Sequence, residues 1–147
     1  MNDPRVGRTS DSSFFEQADL ELKRAERYRL FVSLLVLDLS FVSGLDGCQS
    51  PELEGELLQV VQGNIRVVDN VSILADHKVV LLLPETSRQG AEIAARRLSE
   101  LIRGNLVRHT GGTIDSAIPL EITSYPDAAG AKTVTDFLQE LSEQRRN

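Results

Sequence analysis

"VSILADHKVVLLLPET", residues 71–86, holds two short apolar runs separated by Ala75-Asp76-His77-Lys78. Each run, 71–75 and 78–84, is short enough for a strand, and the gap suits a hairpin. This stretch decides the fold, because a central hairpin fixes how the flanking helices and strands alternate. It also raises a question of chemistry. An acid, a histidine and a lysine on one tight turn suit a catalytic cluster as well as a solvated hairpin tip.

Working outward, Phe14, Phe15, Ala18, Leu22 and Ala25 fall at helical spacing within 14–28. "FVSLLVLDL" (31–39) is an almost continuous apolar run, as expected of a strand buried on both faces. Ser50-Pro51-Glu52 is a helix start, and Leu53, Leu57, Leu58, Val61 and Ile65 carry that helix to about Asn64. After the hairpin, Pro84 and Thr86-Ser87 introduce a third helix, with Ala91, Ala94, Ala95, Leu98, Leu101 and Ile102 as its apolar stripe and Gly104 as its close. "HTGGT" reads as a loop, "IPLEITSY" as a strand and "VTDFLQELSEQ" as a terminal helix. Without the two terminal helices the order is β-α-β-β-α-β. That is the split βαβ arrangement of an α+β fold, an antiparallel sheet with helices on one face.

The 147 residues suit one domain, expected over 14–147, behind a polar, flexible leader at 1–13. A net charge of −6 argues against a nucleic-acid surface. Lys23-Arg24, Arg96-Arg97 and Arg145-Arg146 are short and have acidic neighbours, so each reads as a solvated face. A single cysteine, Cys48, excludes an internal disulfide and suits a reducing cytoplasm. No apolar run resembles a signal peptide or approaches the length needed to span a membrane. Phosphate-loop, dinucleotide, zinc-protease and nucleophile-elbow motifs are all absent. His109 falls among loop residues with no metal-ligand partner at a useful spacing, which reads as a solvated histidine.

Asp38 stands apart, because it ends a nearly all-apolar strand, where a carboxylate needs solvent, a donor or a cation. A phosphorylatable receiver aspartate does not fit: its strand is the first, and parallel α/β alternation is missing. A metal-holding aspartate facing a hairpin, in a nucleotide-cyclising enzyme of split-βαβ kind, does fit.

With these residues placed, the chain resembles a GGDEF domain, the diguanylate cyclase family, over roughly 14–141. "LELKRAERYRLFVSLLVLDLS" is similar to the family's first helix and strand, including the strand-ending aspartate. "RVVDNVSILADHKVVLLLPETSRQGAEIAARRLSELI" resembles RxxDxxxRxGGDEFxxLLPxT and the helix that follows, without a gap from Arg66 to Thr86. "LEITSYPDAAG" looks like the late strand and its YPxDG turn. The resemblance implies a ferredoxin-like, nucleotidyl cyclase-like sheet.

It does not imply the activity. The GGDEF signature falls on Ala75, Asp76, His77, Lys78 and Val79. In the family the two glycines let the nucleotide lie on bare backbone, where Ala75 and Asp76 add side chains, and Asp76 adds charge facing a triphosphate. His77 replaces the acidic ligand that shares two Mg²⁺ ions with the strand aspartate. Magnesium wants oxygen donors, so Asp38 remains only a vestigial metal candidate. The family's second strand aspartate falls on Ser40, and its base-contacting segment is reduced to "FVSGLDGCQS", with Asp46 near the base-binding asparagine. The last helix's phosphate contacts are unrecognisable, and Arg145 and Arg146 do not inherit them. Gly111-Gly112 is a decoy, since no acidic pair follows it.

One ligand feature is retained. Arg66-Val67-Val68-Asp69 matches the family's RxxD motif, the inhibitory site for cyclic di-GMP, at its usual spacing before the signature. A guanidinium suits guanine O6 and N7, and a carboxylate suits its N–H groups. The expectation is a catalytically inactive, cytoplasmic GGDEF-like module in bacterial signalling, needing no cofactor. Its partners are expected to be an unidentified protein and, through Arg66 and Asp69, cyclic di-GMP, with self-association left open. The competing expectation is a divergent metal-dependent nucleotidyl cyclase built on Asp38.

Overall fold

The chain is seen as a computed structural model that describes residues 11–45, 47–48, 52–74, 77–112, 118–126 and positions 136, 139 and 143. Four strands, β1 (Val32–Asp38), β2 (Asn70–Leu74), β3 (Lys78–Pro84) and β4 (Leu120–Tyr125), form one sheet in the order β2-β3-β1-β4. Every neighbouring pair is antiparallel. Three α-helices accompany it: α1 (Asp11–Tyr28), α2 (Glu52–Gln62) and α3 (Arg88–Thr110). The crossovers β1-α2-β2 and β3-α3-β4 each skip one strand, which is the split βαβ pattern.

The pleat of β1 and β3 sorts the core into two layers. Leu35, Leu37, Val79, Leu81 and Leu83 face α2 and α3, meeting Leu53, Leu57, Val61, Ala91, Ala95, Leu98, Ile102 and Leu106. The alternate positions Val32, Leu34, Val36, Val80 and Leu82 face α1, meeting Phe14, Ala18, Leu22 and Ala25. The two helices of the β-α-β-β-α-β order, α2 and α3, thus lie on one face as expected, while α1, a terminal helix outside that order, lies on the other. β1 is apolar on both faces, so both need a cover, and α1 supplies the second. α1 stops at Arg29, in the left-handed region at φ 57°, and Leu30 N–H bonds back to Ala25 O at 3.0 Å, a Schellman closure.

α2 ends two residues earlier than expected, because Gly63 and Asn64 turn the chain, their N–H groups bonding Gln59 O and Val61 O. α3 begins as expected, with Ser87 Oγ accepting from Gly90 N–H. It does not close at Gly104. The stripe continues to Leu106, and the helix ends at Gly111, at φ 71°, whose N–H bonds Val107 O. Of the expected terminal helix, only Asp136, Gln139 and Glu143 are described, and all three are helical. Its other residues, residues 1–10 of the leader expected over 1–13, and Arg145 and Arg146 lie outside the described residues, while residues 11–13 belong to α1. No described helix is long and apolar enough to cross a membrane.

Candidate functional site

Three pieces of chain meet where β1 ends. Asp38 pairs in register with Lys78, the first residue of β3, and its N–H bonds Pro119 O at 2.9 Å. The chain leaving β1 is tied to the hairpin, because Leu39 N–H donates to His77 O at 3.0 Å. A 3₁₀ turn (Ser40–Gly44) follows, and Ser40 N–H donates to Asp38 Oδ1 at 3.0 Å. The carboxylate that the sequence singled out therefore caps the turn that follows its own strand, with its side chain only partly exposed.

On the hairpin, Ala75 and Asp76 and, in the preceding loop, Asp46 lie outside the described residues. His77 has a left-handed backbone at φ 60°, uncommon for a residue with a Cβ. Its Nδ1 is hydrogen-bonded to Glu54 Oε2 on α2, so a side chain bridges hairpin and helix. Val79 is buried in the layer under α2 and α3. Nothing in the sequence pointed to Glu54, because the contact joins residues far apart in the chain.

Among the described residues no three His, Cys, Asp or Glu side chains converge as metal donors. At the hairpin the described oxygen donors are Asp38, already engaged by Ser40 N–H, and Glu54, engaged by His77. Two magnesium ions need several carboxylate and phosphate oxygens, more than these two described side chains supply.

Arg66 and Asp69 come together, but on each other. Arg66 N–H donates to Asp69 Oδ2 at 2.9 Å, Nε lies 3.2 Å from both carboxylate oxygens, and Nη2 lies 2.8 Å from Oδ1. Nη2 also reaches Pro84 O at 2.8 Å and Thr86 Oγ1 at 2.7 Å, so its two hydrogens serve three acceptors. The Asp69 side chain is 4% exposed, whereas that of Arg66 is 52% exposed. The Asp69 carboxylate, outweighing a smaller opposing effect of burial, raises the guanidinium's pKa above its ordinary value. The motif is thus a closed clasp joining the turn before β2 to the β3–α3 corner. Pro84 and Thr86 as its partners were not foreseen.

His109 is also corrected. It belongs to the last turn of α3, not to a loop, and its Nε2 lies 2.9 Å from Glu56 Oε2 on α2. The continued spacing Leu98, Ile102, Leu106 was the available signal that the helix reaches this far. Cys48 is buried, and burial pushes its thiol pKa up, against a nucleophilic role.

Comparison with models of protein families finds no match, and comparison with curated proteins finds none either. Solved structures do match in shape. The chain superposes on diguanylate cyclase SiaD from Pseudomonas aeruginosa, solved with its activator SiaC, at a TM-score of 0.68 and 20% identity, covering 97% of this chain. It spans only 55% of that SiaD chain. An N-terminally truncated YfiN comprising only its GGDEF domain, also from Pseudomonas aeruginosa, gives 0.66 at 18% identity over 99% of this chain and 87% of the other. The GGDEF domain of DgcB from Caulobacter crescentus, solved with c-di-GMP, gives 0.60 at 10% identity over 99% and 88%. The chain has a GGDEF-like fold.

Proposed function

We propose that this chain is a GGDEF-like signalling module without cyclase chemistry, working through contacts with a protein partner. The observation that carries this reading is the hairpin tip. Where the family places two glycines and two acids, this chain has Ala75, Asp76, His77 and Lys78, and His77 is turned onto Glu54. A nucleotide laid along this hairpin would meet side chains instead of bare backbone, and one strand carboxylate cannot hold the metals. SiaD, similar in fold over 55% of its chain, is solved with a protein activator, which supports a protein contact for this chain as well.

The test is incubation of the purified protein with GTP or ATP and Mg²⁺ or Mn²⁺, with separation of any cyclic product. No product above a no-protein control is expected. A metal-dependent product that disappears in Asp38→Asn would establish the competing reading, a divergent nucleotidyl cyclase.

A subordinate reading, favoured by the retained RxxD motif and by the c-di-GMP complex of DgcB, is a cyclic di-GMP receptor through Arg66 and Asp69. Guanine would have to displace Pro84 O or Thr86 Oγ1 from Nη2 and reach a carboxylate that is 4% exposed. The clasp therefore weighs toward a structural role. Calorimetry with cyclic di-GMP decides: no heat at tens of micromolar ends the receptor reading, while binding abolished by Arg66→Ala establishes it.

A further inference from the structure

The corner between β3 and α3 holds a conformation that its residue type disfavours. Glu85 sits at φ 50°, in the left-handed region, between Pro84 and Thr86. A Cβ makes that region unfavourable, and such strain persists only where the surroundings over-determine it. Three elements do so here. From the turn before β2, Arg66 Nη2 reaches Pro84 O at 2.8 Å and Thr86 Oγ1 at 2.7 Å, one acceptor on each side of Glu85. From β1, Ser33 Oγ donates to Thr86 O at 2.7 Å. From α1, Arg24 Nη1 lies 3.4 Å from Glu85 Oε2, in an exposed pair that contributes little. Thr86 is also seated against Gly90, where an added Cβ would come within 3.2 Å of its methyl group.

The directions of donation follow from the hydrogen count. Ser33 has one hydroxyl hydrogen and gives it to a carbonyl, so in its 2.7 Å contact with Ser124 Oγ the hydrogen belongs to Ser124. Thr86 likewise gives its hydrogen to Pro84 O at 2.9 Å, and so accepts from Arg66. Two runs of donors, Ser124 to Ser33 and Arg66 to Thr86, thus converge on one corner from opposite sides of the sheet. Ser33 and Ser124 are buried, so water is not at hand to replace a lost partner.

We propose that Pro84-Glu85-Thr86 is a latch, sprung by the left-handed Glu85 and held shut by Arg66, so that engagement of the guanidinium sets the first turn of α3 and the buried Ser33–Ser124 pair between β1 and β4. The half-exposed guanidinium is the trigger. Its two Nη2 hydrogens already serve three acceptors, so a further acceptor arriving from solvent takes one from the corner. Without those bonds Ser33 is the one buried side chain still tying the corner, among the contacts described above, and Glu85 relaxes toward right-handed backbone. Thr86 O then leaves Ser33, and Ser87, which caps α3 by accepting from Gly90 N–H, moves with it. The latch gives the clasp a regulatory role but rests on no particular ligand. A failed cyclic di-GMP titration leaves it standing, because a substitution trips it.

Amide hydrogen exchange of the full ¹⁵N-labelled chain tests it in wild type, Arg66→Ala, Glu85→Gly and the double variant. The reporters are Gly90 and Ala91, whose N–H groups bond Ser87 Oγ and Ser87 O. Leu35 and Leu81, in the middle of β1 and β3, report global opening. With Arg66→Ala, exchange at Gly90 and Ala91 should rise roughly tenfold or more relative to Leu35 and Leu81, as loss of a charged hydrogen bond implies. Glycine adopts the left-handed region freely, so Glu85→Gly removes the spring, and the double variant should return to within about threefold of wild type. Arg66→Lys, which keeps the charge but loses the fork, carries the same comparisons if the alanine variant is unfolded. Reporters that rise no more than Leu35 and Leu81 overturn the latch. So does a double variant as open as the Arg66 variant, because Arg66 would then not be holding a strained corner.

Discussion

Arg66 shows how far a two-residue motif can be read. That Arg66 and Asp69 form one motif was legible, though as a site for guanine and not as a pair closed on itself. The engagement of Pro84 and Thr86 was not, since these acceptors lie 18 and 20 residues further along and only the folded β3–α3 corner brings them in. The clasp stabilises because Asp69 is 4% exposed and needs its charge answered in place. Arg66→Ala leaves that carboxylate with the backbone N–H of residue 66 as its remaining bond from this position. The expected loss is about 1.5–3 kcal/mol, the range for hydrogen bonds to charged groups, with the half-exposed guanidinium keeping it from rising further. Arg66→Lys keeps the charge but not the fork, and should fall between the two. Urea unfolding of the three proteins checks this, and a loss below about 0.5 kcal/mol would show that the pair behaves as an ordinary surface ion pair.

At the scale of elements, the hairpin and all three described helices were legible from apolar periodicity, and the main error was the end of α3. Gly104 looked like a stop because glycine favours helix ends, yet its backbone is not in the left-handed region and an added Cβ would meet open space. Packing decides instead: Leu106 is fully buried, and stopping at Gly104 would leave it without its layer. Gly111 does the capping, at φ 71°, and there too a Cβ would meet open space. The two glycines therefore separate backbone effects from steric ones, and their alanine variants should move stability in opposite directions. Gly104→Ala should stabilise by up to about 1 kcal/mol, the helix-interior difference between these residues. Gly111→Ala should destabilise by about 1 kcal/mol, because a Cβ disfavours the left-handed region. Thermal melts of both variants test the assignment, and the reverse pair of signs would place the end of α3 at Gly104.

For the whole molecule, the decisive fact is that the sheet is covered twice. The sequence already held the clue, since 31–39 reads as apolar on both faces, but periodicity within one segment does not say which distant helix supplies the second cover. α1 does so with Phe14, Ala18, Leu22 and Ala25, and Phe14 is wholly buried, standing edge-on to Phe15 at 5.8 Å between ring centroids. If α1 were an accessory laid on a finished domain, trimming its apolar stripe would barely matter. Because the α1 layer meets Val32, Leu34, Val36, Val80 and Leu82 of the two central strands, the same trimming should be felt by the whole sheet. Phe14→Ala removes a large buried ring, and the expected cost is about 3–5 kcal/mol. Against a total stability of order 5–15 kcal/mol that is a large fraction. Urea unfolding should show a single transition, with its midpoint lowered and its slope kept, because α1 and the sheet unfold as one cooperative unit. Two transitions, or a loss below about 1 kcal/mol, would mean that the α2–α3 side of the sheet stands alone and α1 is dispensable.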